Sequence, residues 1–123
     1  MQDYNKLDVY KRAIEYSVNI YKFSTELPEN EKYGLISQMR RAVSSIALNI
    51  SEGAGCNSNK EFSIFINYAY RSCNEVLTCL ELISKLGLSK SQKINELQTE
   101  GIEISRMIYS FLKRLKVNLQ PIT

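Results

Sequence analysis

The chain has no histidine and no tryptophan, and it has few prolines, glycines and cysteines. Without histidine, Ser–His and Cys–His catalytic pairs and every histidine-ligated metal site are excluded. A membrane span needs about 18–20 consecutive apolar residues, and no run approaches that length. Residues 1–8 are polar and of mixed charge, which is not the pattern of a signal peptide. We therefore expect a cytoplasmic protein with no membrane partner, no metal and no cofactor.

Three cysteines, Cys56, Cys73 and Cys79, cannot all pair within one chain. No C-x-x-C is present, and a zinc site would need a tighter cluster of sulfur and nitrogen ligands. We expect reduced cysteines that act as small hydrophobic residues. Cys56 is the exception, because it falls in a predicted loop.

The 123 residues fit one domain. Apolar positions recur at helical spacing in four segments, and turn residues separate them. Pro28 ends the first segment, Gly53 and Gly55 end the second, and capping patterns open the third at Ser58 and the fourth at Ser89. The predicted helices span about 4–27, 31–52, 58–87 and 89–117, and residues 118–123 form a frayed tail.

Short connections between long helices require antiparallel neighbours, so the fold class is all-α, an up-and-down antiparallel four-helix bundle. The apolar stripe of helix four is close to a strict heptad, which implies a left-handed supercoil. Gly101 lies in that stripe, where it would allow close helix approach. The predicted core stripe of helix one is Leu7, Tyr10, Ile14, Ser17, Tyr21 and Ser24, widened by Ala13, Ile20 and Leu27. The predicted core stripes are Ile36, Met39, Val43, Ile46, Ala47 and Ile50 in helix two, and Ile94, Leu97, Gly101, Ile104, Ile108, Phe111 and Leu115 in helix four.

Helix three is apolar on two opposite sides at about 100° per residue. One side predicts the core: Phe62, Phe65, Ile66, Ala69, Cys73, Val76, Leu77, Leu80 and Ile83. The other side is the candidate subunit interface, because a single bundle needs one apolar stripe per helix. Its members are Ile64, Tyr68, Arg71, Glu75, Cys79, Leu82 and Leu86.

Within this second side Arg71 and Glu75 are four residues apart. They pair either with each other or with charges across a subunit boundary, since unpaired ions in an apolar strip are costly. Four tyrosines are also expected near subunit contacts, and they are Tyr16, Tyr33, Tyr68 and Tyr70.

The net charge of +3 comes entirely from the residues after 88, which include six basic and three acidic side chains. A basic helix face can follow phosphates. The candidate nucleic-acid contacts are Arg106, Lys113, Arg114 and Lys116. The alternative is a solvated face with cations placed favourably at a helix C-terminus.

Helix two carries a second polar set, Gln38, Arg40, Arg41, Asn49 and Glu52. These residues either contact a ligand or make structural bridges between helices or subunits, which are weak when exposed. No catalytic constellation is present, because Glu52 and Glu75 lack a partner base or metal ligand. The Gly53–Gly55 stretch is too short for a phosphate-binding loop. We therefore expect no enzyme activity.

The stretch from Glu31 to Gly53 resembles the small four-helix-bundle proteins encoded in intervening sequences of bacterial 23S ribosomal RNA genes. Relatives of these are the accessory variability proteins of diversity-generating retroelements. The shared pattern has Leu27-Pro28, then Gln-x-Arg-Arg-Ala at 38–42, Ser-Ile at 45–46 and Asn-Ile-x-Glu-Gly at 49–53. A later Gly-Ser element reads Arg71-Ser72 here, so arginine replaces the glycine.

The resemblance implies a bundle that assembles as a ring, typically a homopentamer, and for the retroelement relatives it implies binding of nucleic acid and a reverse transcriptase. We therefore expect a non-enzymatic homo-oligomer that binds RNA or DNA through a basic patch multiplied by assembly. The alternative is a scaffold that binds another protein and no nucleic acid.

Overall fold

The structure is a computed structural model that describes residues 7–31 and 34–117. Within these ranges it has four α-helices: α1 (Asp8–Ser24), α2 (Leu35–Ala54), α3 (Asn59–Lys85) and α4 (Lys93–Val117). A 3-10 turn at Glu29–Glu31 precedes α2. The predicted start of helix one near residue 4, Tyr33, and the tail at 118–123 lie outside the described residues.

Each helix packs on its two neighbours in the order α1, α2, α3, α4 and back to α1. The direction of α2 against α3 follows from two contacts. Ser45 lies beside Ser72, with their hydroxyl oxygens 3.0 Å apart, and eight residues further on Gly53 lies beside Phe65. As α2 advances, its neighbour on α3 recedes, so the two run antiparallel. The predicted all-α four-helix bundle is confirmed.

The ends of α3 follow from local chemistry. The Ser58 hydroxyl accepts a hydrogen bond from the Glu61 N–H at 3.2 Å, as the capping pattern predicts. At the other end Gly87 has a φ of +68°. This is a left-handed backbone conformation that glycine adopts without steric cost. The Leu88 N–H then donates back to the Ile83 carbonyl at 3.1 Å and closes the helix.

The other helix ends differ from the sequence prediction. α4 begins at Lys93, four residues after Ser89. The Ser89 hydroxyl accepts from the Ser91 N–H, and the Ser91 hydroxyl accepts from the Lys93 N–H, each at 3.1 Å. The Ser89 hydroxyl therefore stabilises the linker before α4, and the Ser91 hydroxyl caps the start of α4. α2 likewise begins at Leu35, because residues 29–31 form the separate 3-10 turn.

Gly53 and Gly55 do not adopt the left-handed cap that their types suggest. Gly55 has a φ of −80°, and Gly53 is buried inside the helix. A Cβ on Gly53 would lie 2.9 Å from the Phe65 Cβ and 2.8 Å from the Phe62 ring. The glycine is therefore required by close contact with α3.

The core confirms the predicted stripe of α2, whose six members are all buried. The stripe predicted for α1 is confirmed at Ala13, Ile20, Ser24 and Leu27 and is wrong at two other positions. Ile14 and Tyr21 are exposed, whereas the buried positions are Val9, Ala13, Tyr16, Ile20, Phe23, Ser24 and Leu27. The buried side is centred on the widening residues Ala13, Ile20 and Leu27, and it also holds the large rings of Tyr16 and Phe23 between the helices.

Tyr16 therefore lies in the core and not near a subunit contact. It is fully buried, and its hydroxyl donates to the Leu97 carbonyl on α4 at 2.9 Å. Cys73 lies nearby and contacts the Gly101 carbonyl at 3.3 Å. A Cβ on Gly101 would collide with the Tyr16 hydroxyl and lie 2.8 Å from Leu77 Cδ2. The predicted close approach at Gly101 is confirmed.

Candidate assembly and nucleic-acid surfaces

The outward side of α3 carries large apolar side chains that the protomer leaves open. Ile64, Tyr68 and Leu82 are each 44–45% exposed, and Leu86 is 61% exposed. We call the set Ile64, Tyr68, Arg71, Glu75, Leu82 and Leu86 the α3 face. The Tyr68 ring lies edge-on against Phe65, with centroids 5.9 Å apart.

Cys79 was grouped with this face by its helical angle, but the structure places it in the core at 3% exposure. It lies on the border of the face that turns toward the start of α2. There it helps to line an open cavity of about 620 Å³, with Leu35, Gln38 and Leu82 among its walls.

Arg71 and Glu75 do not pair with each other. Among the described residues the ion pairs are Arg12–Glu103 at 2.9 Å, between α1 and α4, and Glu26–Lys93 at 2.6 Å, between the turn after α1 and the start of α4. The sequence left two alternatives, pairing of Arg71 with Glu75 or pairing of each with a charge on another subunit. The first of these is not formed in the protomer. Both charges face outward on α3.

A second apolar surface lies across α1 and α2, and the sequence reasoning missed it. Its members are Ile14, Val18, Tyr21 and Leu48, of which Leu48 is 65% exposed. We call these four residues the α1–α2 face. Ile14 and Leu48 both border a groove of about 230 Å³ between the two helices. The available signal was that apolar residues occur on more than one side of helix one.

The polar residues of helix two divide into two groups. Arg40 Nε donates to the Ser24 hydroxyl at 2.7 Å, and its guanidinium lies 5.1 Å from the centre of the Tyr21 ring. The Asn49 amide donates to the Ser45 carbonyl at 2.8 Å and to its hydroxyl at 2.9 Å. Arg40 and Asn49 therefore have structural roles within the protomer.

Gln38, Arg41 and Glu52 form the other group. All three are exposed, and within residues 7–31 and 34–117 none of their side chains has a hydrogen bond or an ion pair. Arg41 and Glu52 lie on the outward side of α2 together with Leu48. These side chains are available to a partner.

The predicted nucleic-acid contacts lie at the C-terminal end of α4, and all four are exposed. The Lys113 ammonium lies 5.6 Å from the centre of the Tyr109 ring, and the Arg114 guanidinium lies 5.4 Å from that of Phe111. In the described part of the chain neither Arg106 nor Lys116 has a carboxylate at ion-pair distance. Their charge is therefore not neutralised by any carboxylate of the described ranges.

Arg106 and Arg114 border an open groove of about 610 Å³ where the end of α4 meets the start of α1. Ser110 lies between them on the same side of the helix, and Asp8 of α1 lies on the opposite wall. The structure thus brings Arg106 and Arg114 to one groove. It leaves Lys113 and Lys116 outside that groove.

Buried titratable groups lie inside the bundle and away from these surfaces. Burial raises the pKa of the Cys73 thiol to about 12 and raises that of the Tyr16 hydroxyl well above its ordinary value. Burial also raises the pKa of the Cys79 thiol, with the Glu75 charge adding to it. These thiols are protonated near neutral pH and have no nucleophilic character.

The described residues contain no cluster of three or more side chains able to hold a metal ion. In the same ranges, no helix combines the length and apolar character needed to cross a membrane.

Comparison with known proteins identifies the chain's relatives. The sequence profile of the 23S rRNA-intervening sequence protein family matches residues 5–110. The chain belongs to that family. The resemblance seen in helix two is therefore confirmed. No curated protein matches this 23S rRNA-intervening sequence protein.

One solved structure has the same fold. It is a protein of unknown function from the S23 ribosomal protein family of Bacteroides thetaiotaomicron. Its TM-score is 0.79 at 24% sequence identity, over 85% of this intervening-sequence protein and 98% of the other chain. At that identity the likeness establishes the shared bundle fold.

Proposed function

We propose that this intervening-sequence protein is a non-enzymatic scaffold that assembles from several copies of itself. The observation that supports the proposal is the α3 face, where four large apolar side chains are about half exposed although the core beneath them is complete. Large apolar side chains left exposed along one side of a helix favour an interaction site. A pentamer is the stoichiometry that the family resemblance implies.

Rough magnitudes indicate what kind of surface covers the α3 face. Full burial of a large apolar side chain stabilises by about 1.5–3 kcal/mol, so covering a half-exposed one contributes about 1 kcal/mol. Association itself costs about 4–15 kcal/mol. Four side chains of the α3 face reach only the low end of that cost. The surface that covers them must therefore bring apolar side chains of its own.

Replacing Tyr68 by glutamate tests the assembly. The Tyr68→Glu variant is expected to lose assembly and to run as a 14.2 kDa protomer, because a carboxylate in a covered apolar contact is costly. The measurement is light scattering after size-exclusion chromatography.

Tyr109→Glu is the matched control for this substitution. Tyr109 is an exposed tyrosine on α4 that contacts a single ring, Tyr70, at 5.8 Å, as Tyr68 contacts Phe65. The control is expected to keep the wild-type mass. Equal masses for Tyr68→Glu and the wild type would count against the α3 face as the interface.

The unpaired cations at the end of α4 favour nucleic acid as the ligand of the scaffold. Each copy offers a small number of charges, and assembly presents several such sets at once, which raises avidity without new contacts. Because phosphate contacts release counterions, the affinity falls as salt rises.

Fluorescence anisotropy with labelled single-stranded and duplex oligonucleotides measures this binding. We expect binding at low salt that weakens at high salt. The double variant Arg106→Ala/Arg114→Ala is expected to reduce the slope of log K against log salt by about 0.7–0.9 for each lost contact. Lys60→Ala/Lys85→Ala, which removes two exposed lysines of α3, is expected to leave that slope unchanged.

Absence of binding at low salt would contradict the nucleic-acid assignment. The scaffold would then serve a protein partner. Recovery of a stoichiometric protein after nuclease treatment, in a pull-down with the tagged chain, would support that alternative.

A further inference from the structure

We infer that the α3 face of one copy packs against the α1–α2 face of the next, which places Tyr68 against Leu48 and Glu75 against Arg41 across the subunit boundary. The inference rests on the proposed self-assembly, and it identifies the α1–α2 face as the surface that covers the α3 face. Both faces carry half-exposed large apolar side chains, so each supplies the apolar area that the other needs.

The two faces match in height along the bundle. Ser45 of α2 lies level with Ser72 of α3, because their hydroxyls are in contact. Since the helices are antiparallel and rise about 1.5 Å per residue, Arg41 lies level with position 76, next to Glu75. By the same count Leu48 lies level with position 69, next to Tyr68.

The α1 part of its face lies at the same height. Ser17 donates to the Val43 carbonyl at 3.1 Å and so fixes the level of α1 against α2. Three residues before Ser17, Ile14 shares a groove with Leu48. Ile14 and Leu48 thus form one apolar area at the level of Tyr68.

A closed assembly relates its copies by rotation without a shift along the axis. If the rotation axis runs parallel to the helices, surfaces of neighbouring copies that lie at the same height along the bundle meet. Leu48 then covers Tyr68, and the Arg41 guanidinium meets the Glu75 carboxylate, two groups that have no ion pair within the protomer. This contact gives the exposed Arg41 of the helix-two motif a role in assembly.

A two-fold contact of α3 on α3 is the competing arrangement. It would cover the α3 face and leave Ile14, Val18, Tyr21 and Leu48 in water. Head-to-tail pairing covers both faces in every copy and continues until the ring closes.

Mixing two blocked variants distinguishes these arrangements. Tyr68→Glu blocks the α3 face, and Leu48→Glu blocks the α1–α2 face at a side chain that is 65% exposed. We expect each variant alone to have the mass of one protomer. An equimolar mixture is expected to form a heterodimer of twice that mass, because one intact α3 face meets one intact α1–α2 face.

Cross-linking keeps the test decisive if a single contact is too weak to survive chromatography. Leu48→Cys and Tyr68→Cys are prepared separately, each in a Cys56→Ala background so that the remaining native thiols are buried. Mild oxidation of the mixture is expected to give a covalent heterodimer, and oxidation of either variant alone to give only protomer.

Three outcomes would overturn the inference. Leu48→Glu with the wild-type mass, a Tyr68→Cys variant that forms covalent dimers by itself, or a mixture that gives neither a heterodimer nor a cross-link would each show that the two faces do not meet. A wild-type chain that is itself a protomer would overturn the proposed assembly as well, so the two failures are distinguishable.

Discussion

Raising the pH from 8 to 10.5 lowers the free energy of unfolding by about 2 kcal/mol through Cys73 alone. Burial raises the pKa of this thiol from its ordinary value of 9.0 to about 12. Above pH 9 the unfolded chain loses the thiol proton while the folded chain keeps it, so stability falls by about 1.4 kcal/mol for each further pH unit. The loss is complete near pH 12. Tyr16 adds to it above pH 10, because burial raises its pKa too.

Urea unfolding followed by circular dichroism, in the presence of a reductant, measures this loss. The Cys73→Ala variant is expected to show a smaller decrease between pH 8 and pH 10.5 than the wild type, by about 2 kcal/mol. Cys56→Ala removes a thiol that lies at the surface and is expected to keep most of the decrease. The same decrease in Cys73→Ala and in the wild type would contradict the assignment of Cys73 to the core.

Replacing Gly101 by alanine destabilises the bundle by about 1–3 kcal/mol, the usual cost of overpacking a core. The opposite result would follow from helix propensity alone, which favours alanine by about 1 kcal/mol. The steric contact outweighs helix propensity and makes the substitution destabilising, because the added methyl would meet the Tyr16 hydroxyl and Leu77 Cδ2. Tyr16 cannot move away easily, since its hydroxyl is bonded to the Leu97 carbonyl.

A double-mutant cycle with Tyr16→Phe separates the contact from other effects. In the Tyr16→Phe background the alanine penalty is expected to fall, because the colliding hydroxyl is gone. Gly55→Ala is the control, since its nearest contact would be an ordinary 3.5 Å and its φ of −80° suits alanine. An unchanged penalty at Gly101 in the two backgrounds would refute the proposed collision.

Periodicity predicted the fold and the core of α2, because that helix has a single apolar stripe bounded by polar residues. It predicted only part of the core of α1, because Val9, Ile14, Val18 and Tyr21 spread over more than one side of that helix and no stripe is unique. The correct choice depends on volume, since Tyr16 and Phe23 fill the centre of the bundle. The helical spacing of apolar residues does not indicate which large side chains fill the centre of the bundle.

The open side of α3 was predictable because a second stripe is visible in the sequence. Cys79 was misplaced because it lies at the border that the start of α2 covers. The partner of Arg40 was not predictable either. Its hydrogen bond joins it to Ser24 on a different helix, and no local pattern links the two positions.

Light scattering after nuclease treatment, on the purified wild-type chain at micromolar concentration, shows whether the chain assembles. We expect a single species at a multiple of the 14.2 kDa protomer mass, with no dependence on nuclease. A single species at 14.2 kDa, with Tyr68 and Leu48 open to solvent, would contradict it.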